Sequence, residues 1–506
     1  MSSRHGLPLR GLDSTQRSPL FQGRFGRMFR SLPGARFGKD DKESLANLAA
    51  LGTAMTAGFD PPKDGKDDEE SGIPALYTYL GQFVDHDITF DPMSSLMKQN
   101  DPDALTDFRT PSFDLDNVYG RGPGDQPYLF DDGPTFLMGD PLTGAGDPQA
   151  RDLPRNNAKV RRALIGDPRN DENSIVSQLQ GLFLRFHNRA AAENASLDFP
   201  HLQQFVRFHY QYMVLNDFLP RIVHSSVLKT LKDDTGHYHP DKIKFFHWKH
   251  EPFMPVEFSV AAYRLGHSMV RPGYRLNDKV LLPIFPIDQK IDPHFREGLT
   301  GFRAMIPDWG IDWGRFIDID IRTYDGSAAD NQKRLQFAYR IDTSIVTALS
   351  GLPPSIAPDA PPSLPQRNLI RGFRLGLPSG QQVAKAMNVP VLTDDQIVIG
   401  KAVDGGDTEA KKIGSISNAF AGNCPLWTYI LAEAALNQET VKIPVKENVS
   451  ISTPRLGAVG GRIVAEVFLG LMFGDANSLL SLDPSWQPAS GRDFGLKQFV
   501  SFALGK

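Results

Sequence analysis

A single cysteine, Cys424, stands in 506 residues, so no disulfide can form within the chain. That excludes small cross-linked scaffolds and fits a reducing compartment or a bacterial-type protein. No apolar run approaches the ~18 residues that mark a membrane span. A net charge of −4 gives no general attraction to nucleic acid or anionic lipid. Acidic residues are scarce in one place. Residues 1–36 hold seven arginines against the lone acid Asp13. This stretch has no apolar core, so it does not read as a secretory signal. It predicts a basic arm over 1–36 lying on one large domain over 37–506. The expected location is cytoplasmic or non-classically secreted.

The remainder is ordinary for a globular protein, 40% hydrophobic and 23% charged, with enough proline and glycine for many loops. Helical spacing predicts helices over 44–55 with Ser44 as N-cap, from Ile73 through His86, and over 174–194. Further helices are predicted over 201–231 with Pro220 kinking it or dividing it in two, and over 256–269, 331–349, 424–436 and 458–480. The expected fold class is mainly α: a large single helical domain with long loops and little β.

Five segments carry candidate chemistry. In Gln82-Phe83-Val84-Asp85-His86-Asp87, Gln82 and His86 are four apart and share a helix face. Acids flanking a histidine beside buried helix are costly unless each finds a partner. Thr110, Ser112, Asp114 and Asp116 alternate along an extended loop. With Asp87 they offer the hard, partly anionic oxygens that calcium takes. Gly166-Asp167-Pro168-Arg169-Asn170-Asp171-Glu172 enters a long helix, where Glu172 also reads as a simple capping acid. Ala261-Ala262-Tyr263-Arg264-Leu265-Gly266-His267 ends a helix of small and apolar residues. Asn368 and Arg371 follow a proline-rich loop. His237, His239, His247 and His250 match no zinc spacing.

In this order the segments resemble the animal-type haem peroxidases of the peroxidase–cyclooxygenase superfamily. The resemblance covers roughly residues 70–390. It implies a haem peroxidase domain over 37–506, binding a haem b derivative and calcium. His86 becomes the acid–base catalyst, with Arg169 and Gln82 beside it. His267 becomes the haem-iron ligand, with Asn368 accepting its second N–H and Arg371 facing a propionate. Asp85 and Glu172 become the acids that form esters with haem methyl groups. Asp87, Thr110, Ser112, Asp114 and Asp116 become the calcium ligands. The family usually has serine where Asp116 stands, so that residue either strengthens the site or turns to solvent. Asn173 replaces the methionine of a third haem link, so two links are expected. His187 and Arg189 match a structural motif.

The activity this implies is reduction of hydrogen peroxide, with oxidation of small donors (phenols, halides or pseudohalides) through a ferryl state. A fatty-acid dioxygenase of the same superfamily is the alternative. Those enzymes place a tyrosine three residues before the proximal histidine. Here that position is Arg264, and Tyr263 would point about 100° away on an α-helix. A haem- or calcium-binding protein without catalysis is a further alternative. The expected partners are peroxide and small donors, with no nucleic acid and no membrane span.

Overall fold

The computed structural model describes residues 23–506 except 61, 63, 91–95, 97–105, 108, 132, 249–250, 287–297, 326–331, 355 and 402–409. Residues 1–22 of the basic arm and His250 thus lie outside the described chain. Residues 23–36 rest on the body. Gly23–Gly26 pairs antiparallel with Thr106–Asp107 and parallel with Met254–Pro255. The amides of Met28 and Phe29 donate to the buried Glu257 carboxylate, and Arg27 donates to the carbonyls of Leu375 and Gly376.

Eight helices carry the core: α1 (Asp41–Ala54), α2 (Leu76–Ile88), α3 (Ser174–Glu193), α4 (Phe199–Met213), α5 (Leu364–Arg374), α6 (Leu426–Leu436), α7 (Gly460–Gly474) and α8 (Leu496–Leu504). The sheets are small, one of three strands and the others of two among the described residues. Stacked rings fix the helices that matter for the site. Phe83 of α2 lies 4.0 Å from Phe183 of α3, and Phe186 of α3 lies 4.4 Å from Phe499 of α8. Tyr210 of α4 meets both Phe83 and Phe183 edge-on. Such pairs add about 0.5–1.5 kcal/mol each beyond area burial. They hold α2 against the middle of α3. No described helix is long and apolar enough to cross a membrane.

Several predicted elements are corrected. α1 starts at Asp41, because Asp40 rather than Ser44 caps it by accepting from the Glu43 amide. Glu70–Pro74 is a strand paired with Phe337–Tyr339, so the helix expected from Ile73 begins only at Leu76. That pairing takes backbone bonds that a helix over 331–349 would need. The described part of that stretch is instead strand, loop and a 3₁₀ turn, Thr347–Ser350. The 201–231 stretch divides after α4 into a π-helical turn, Val214–Phe218, and a short helix, Leu219–Ile222. Pro220 sits in the first turn of that short helix, where a missing N–H costs nothing. The expected helix over 256–269 is one α-turn, Val256–Ser259, and then a 3₁₀ helix, Ala262–His267. Ala261 leaves the helical region between them, at φ −127° and ψ −72°.

Candidate functional site

α2 and the 3₁₀ turn supply two walls of one cavity of about 210 Å³. Gln82, Asp85, His86 and Glu172 line it together with Arg264, Gly266 and His267. An adjoining space of about 330 Å³ shares Asp85, His86, Glu172 and Arg264 and adds Arg169 and Arg371. The break at Ala261 matters here. In a 3₁₀ helix residues three apart eclipse, so Arg264 and His267 stack on one edge. Tyr263 also lines the cavity, contrary to the expectation from α-helical geometry. Its hydroxyl has no hydrogen-bond partner among the described residues.

On α2, His86 Nδ1 lies 2.7 Å from Asn170 Oδ1, and Asn170 Nδ2 donates to Gln180 Oε1 at 2.8 Å. Because the Asn170 amide nitrogen is engaged with Gln180, its oxygen faces the ring and must accept. Nδ1 therefore carries the proton and Nε2 keeps its lone pair. Nε2 lies 3.7 Å from Glu172 Oε1, an oxygen that also accepts from Gln82. Burial, reinforced by the Arg169 charge, holds the His86 pKa below its ordinary value. The ring is thus a neutral base at neutral pH. Arg169 is tied to Asp167 at 2.7 Å and donates to the His86 carbonyl at 2.9 Å. Glu172 is no cap. Asn173 caps α3 by accepting from the Ile175 amide, which leaves Glu172 at the cavity.

On the other wall, burial and then the Arg264 charge push His267 down to about 3, so this ring is neutral too. Asn368 Nδ2 lies 2.8 Å from His267 Nδ1. The amide nitrogen faces the ring here, and Nδ1 is then its bare nitrogen. Turned by half a turn, the amide fills the same space and presents its oxygen. Arg264 donates to the Ser259 carbonyl at 2.8 Å and stands 3.7 Å from Asp85.

Behind His86, Asp87, Asp114 and Asp116 each bring a carboxylate oxygen within 4.8 Å of the others. Leu115 between the last two adopts φ 59° and ψ 36°, a left-handed turn that is unfavourable for leucine. It turns the neighbouring acids to one side. Both Asp87 oxygens are fully buried, and the neighbouring Tyr210 hydroxyl and Leu115 amide make no hydrogen bond of ordinary geometry to them. Burial, with Asp114 and Asp116 nearby, raises the Asp87 pKa well above the carboxylate range. Asp116 is pushed up to about 7 by burial, against the pull of Arg109. It does not turn to solvent. Ser112 is buried and donates to Asp114 at 3.1 Å, while Thr110 is half-buried on the same loop.

Gln82, Asp85, His86, Arg169, Glu172, His267 and Arg371 therefore line the cavity and its adjoining space, Asn368 stands against His267, and Asp87, Asp114 and Asp116 form the cluster behind His86. Asn170, Gln180, Asp167 and Arg109 were not singled out for any role. Asn170 lies inside a motif already noted, and only its burial marks it. His187 is buried, bonded to the Tyr119 hydroxyl at 2.9 Å and the Pro134 carbonyl at 2.8 Å. Arg189 pairs with Glu193 on the surface. His237 and His247 are exposed and His239 is half-buried.

These residues fit a haem. The cavity wall is mainly apolar. A Cβ added at Gly266 would meet nothing within 4 Å, so open space reaches the backbone beside His267. A neutral buried imidazole is the form that ligates a metal.

The family model for animal haem peroxidase matches residues 98–292. A peroxidasin homolog of Homo sapiens is 26% identical over 304 residues, 56% of this chain and 19% of that protein. Thyroid peroxidase of Mus musculus is 24% identical over 215 residues, 38% of this chain and 22% of that protein. The chain thus spans less than a quarter of the length of these curated relatives. Among solved structures, peroxidase A from Dictyostelium discoideum aligns over 96% of this chain and 94% of that one, at 14% identity and a TM-score of 0.57. Fatty acid alpha-dioxygenase from Arabidopsis thaliana aligns over 94% and 74%, at 14% identity and a TM-score of 0.51. These structural likenesses speak to the fold, a mainly helical peroxidase-type domain. Residues 98–292 thus match the animal haem peroxidase family, the relatives found by sequence include peroxidases, and the structural likenesses add a shared mainly helical fold.

Proposed function

We propose that this chain is a peroxidase that reduces hydrogen peroxide and oxidises small donors such as phenols or halides. The observation that carries the reading is His86. Its Nδ1 is tied to Asn170 while its bare Nε2 stays on the cavity side, in a cavity that also holds a second neutral histidine. A haem bound there supplies the oxidising power that peroxide releases, and the protein supplies orientation and charge. His267 would hold the haem iron through Nε2 once the Asn368 amide presents its oxygen to Nδ1, and a hydrogen bond of that kind increases ring basicity. Arg371 would face a propionate, and Asp85 and Glu172 would bond the haem covalently. His86 Nε2 takes a proton from one oxygen of hydrogen peroxide and returns it to the other. Arg169 places positive charge beside the cavity, where water is scarce and charge acts strongly. Gln82 fixes the Glu172 carboxyl.

Calcium is the proposed cation at Asp87, Asp114 and Asp116, with Thr110 and Ser112 completing the shell. Three carboxylates close together, Asp87 fully buried and the other two half-buried, call for a positive charge.

One observation favours the dioxygenase reading: the unpartnered Tyr263 hydroxyl in the cavity, near apolar Leu349, Leu352 and Ile356. The two readings separate in one experiment. Haem-loaded protein is mixed with peroxide in stopped flow, and oxygen uptake is followed separately with a fatty acid. Rapid peroxide-dependent spectral change without fatty-acid-dependent uptake supports the peroxidase. Uptake that is lost in Tyr263→Phe supports the dioxygenase.

A further inference from the structure

We propose that Arg109 is a positioning residue that transmits cation binding at Asp87, Asp114 and Asp116 to the distal guanidinium of Arg169. This rests on the peroxidase reading and its cation site.

Asp116 divides its two oxygens. Oδ1 is buried without a partner among the described residues, and Oδ2 stands 3.3 Å from Arg109 Nη1. Arg109 Nη2 lies 2.6 Å from Asp167 Oδ2. That same Asp167 oxygen accepts from Arg169 Nη2 at 2.7 Å, and Asp167 Oδ1 accepts the Arg169 amide at 2.8 Å. Arg169 then donates to the His86 carbonyl at 2.9 Å. The result is an unbroken file of carboxylate, guanidinium, carboxylate and guanidinium from the cluster to the cavity. Little water screens it. The Asp167 side chain is 0% exposed and that of Arg109 12%.

The direction of coupling follows from charge. A divalent cation on Asp116 offsets the carboxylate that holds Arg109. Arg109 then acts more fully on Asp167, and Asp167 holds Arg169 less. The Arg169 charge becomes more available to an anion in the cavity. A serine at 116 could ligate a cation but could not form this bridge, so the acid at this position gains a role beyond ligation. Asp87 offers a second route, through the backbone to His86. A test must therefore read Arg169 rather than cation occupancy alone.

The test uses ferric holoprotein and cyanide, whose binding is read from the Soret shift, with saturating CaCl₂ and after chelation. Wild type should bind cyanide about tenfold more tightly with calcium, within the range expected for support from residues that do not themselves touch the metal. In Arg109→Leu the ratio should fall below about threefold, while calorimetry with CaCl₂ gives a Kd within about threefold of wild type. Asp116→Ser cuts the same file at its other end and should also lose the ratio, and it serves if Arg109→Leu does not fold. Arg109→Lys should restore part of it. A wild type that binds calcium, with an unchanged cyanide ratio in the folded variants, overturns the inference alone. A wild type that binds no calcium overturns the cation site and the inference together.

Discussion

Asn170 Oδ1 lies 2.7 Å from His86 Nδ1, and this contact decides which nitrogen of the distal ring is free to accept a proton. Gln180 holds the amide in place from behind. Asn170→Ala should keep haem yet slow the reaction with peroxide about 10–100-fold, the usual cost of losing such support. Asn170→Asp should favour the charged ring and move the acid limb of the rate profile to higher pH. Stopped-flow rates across pH, with unchanged haem content, check both. An Asn170→Ala rate equal to wild type would show that the contact is not needed.

The two cavity histidines should separate cleanly. His267→Ala is expected to lose haem or its Soret band. His86→Ala should retain the Soret band and lose peroxide reactivity by orders of magnitude. Spectra of the purified variants decide it, and equal haem content with equal activity would refute the assignment.

Asp85 sits 3.7 Å from Arg264, and Glu172 is held by Gln82, both at the cavity wall. After peroxide turnover, haem should resist extraction by acidified organic solvent. Only removal of both acids should release it fully. Asn173 has no sulfur, so mass spectrometry should find no third bond. Complete extraction from treated wild type would leave both acids as ordinary wall residues.

Removing the cation leaves three carboxylates facing one another. Chelation, or Asp114→Ala, should lower Tm and slow the peroxide reaction together, because Asp87 is adjacent to His86. Calorimetry and stopped flow on verified metal-free protein provide the check.

His187 supplies a pH window. Burial pushes it down to about 4, against 6.5 for an ordinary histidine. The unfolded chain therefore binds a proton in this range when the folded chain does not. Its contribution is fully present above about 6.5 and is lost as pH falls toward 4, on the order of 3 kcal/mol. His187→Gln should flatten the fall of stability between those values in denaturant titrations. An unchanged slope would assign it to the other histidines that burial holds below their ordinary value, His86, His209 and His267.

Local residue order already pointed to the fold class and the site candidates. The spacing of Gln82, Asp85, His86 and Asp87 needs only a helix, and the alternation from Thr110 to Asp116 needs only an extended loop. Both are local geometry that a sequence carries directly. Long-range competition decided the rest. Whether 331–349 is helix or strand depended on Glu70–Pro74 taking its backbone bonds. The 256–269 stretch has helical spacing, yet the break at Ala261 gave it a 3₁₀ pitch and brought Tyr263 to the cavity. The Asn170 contact and the Asp116–Arg109–Asp167–Arg169 file join residues far apart in the chain. Their partners exist only once Phe83 has stacked on Phe183 and brought α2 against α3. A charge finds its partner by packing, and packing is a property of the whole core rather than of any one segment.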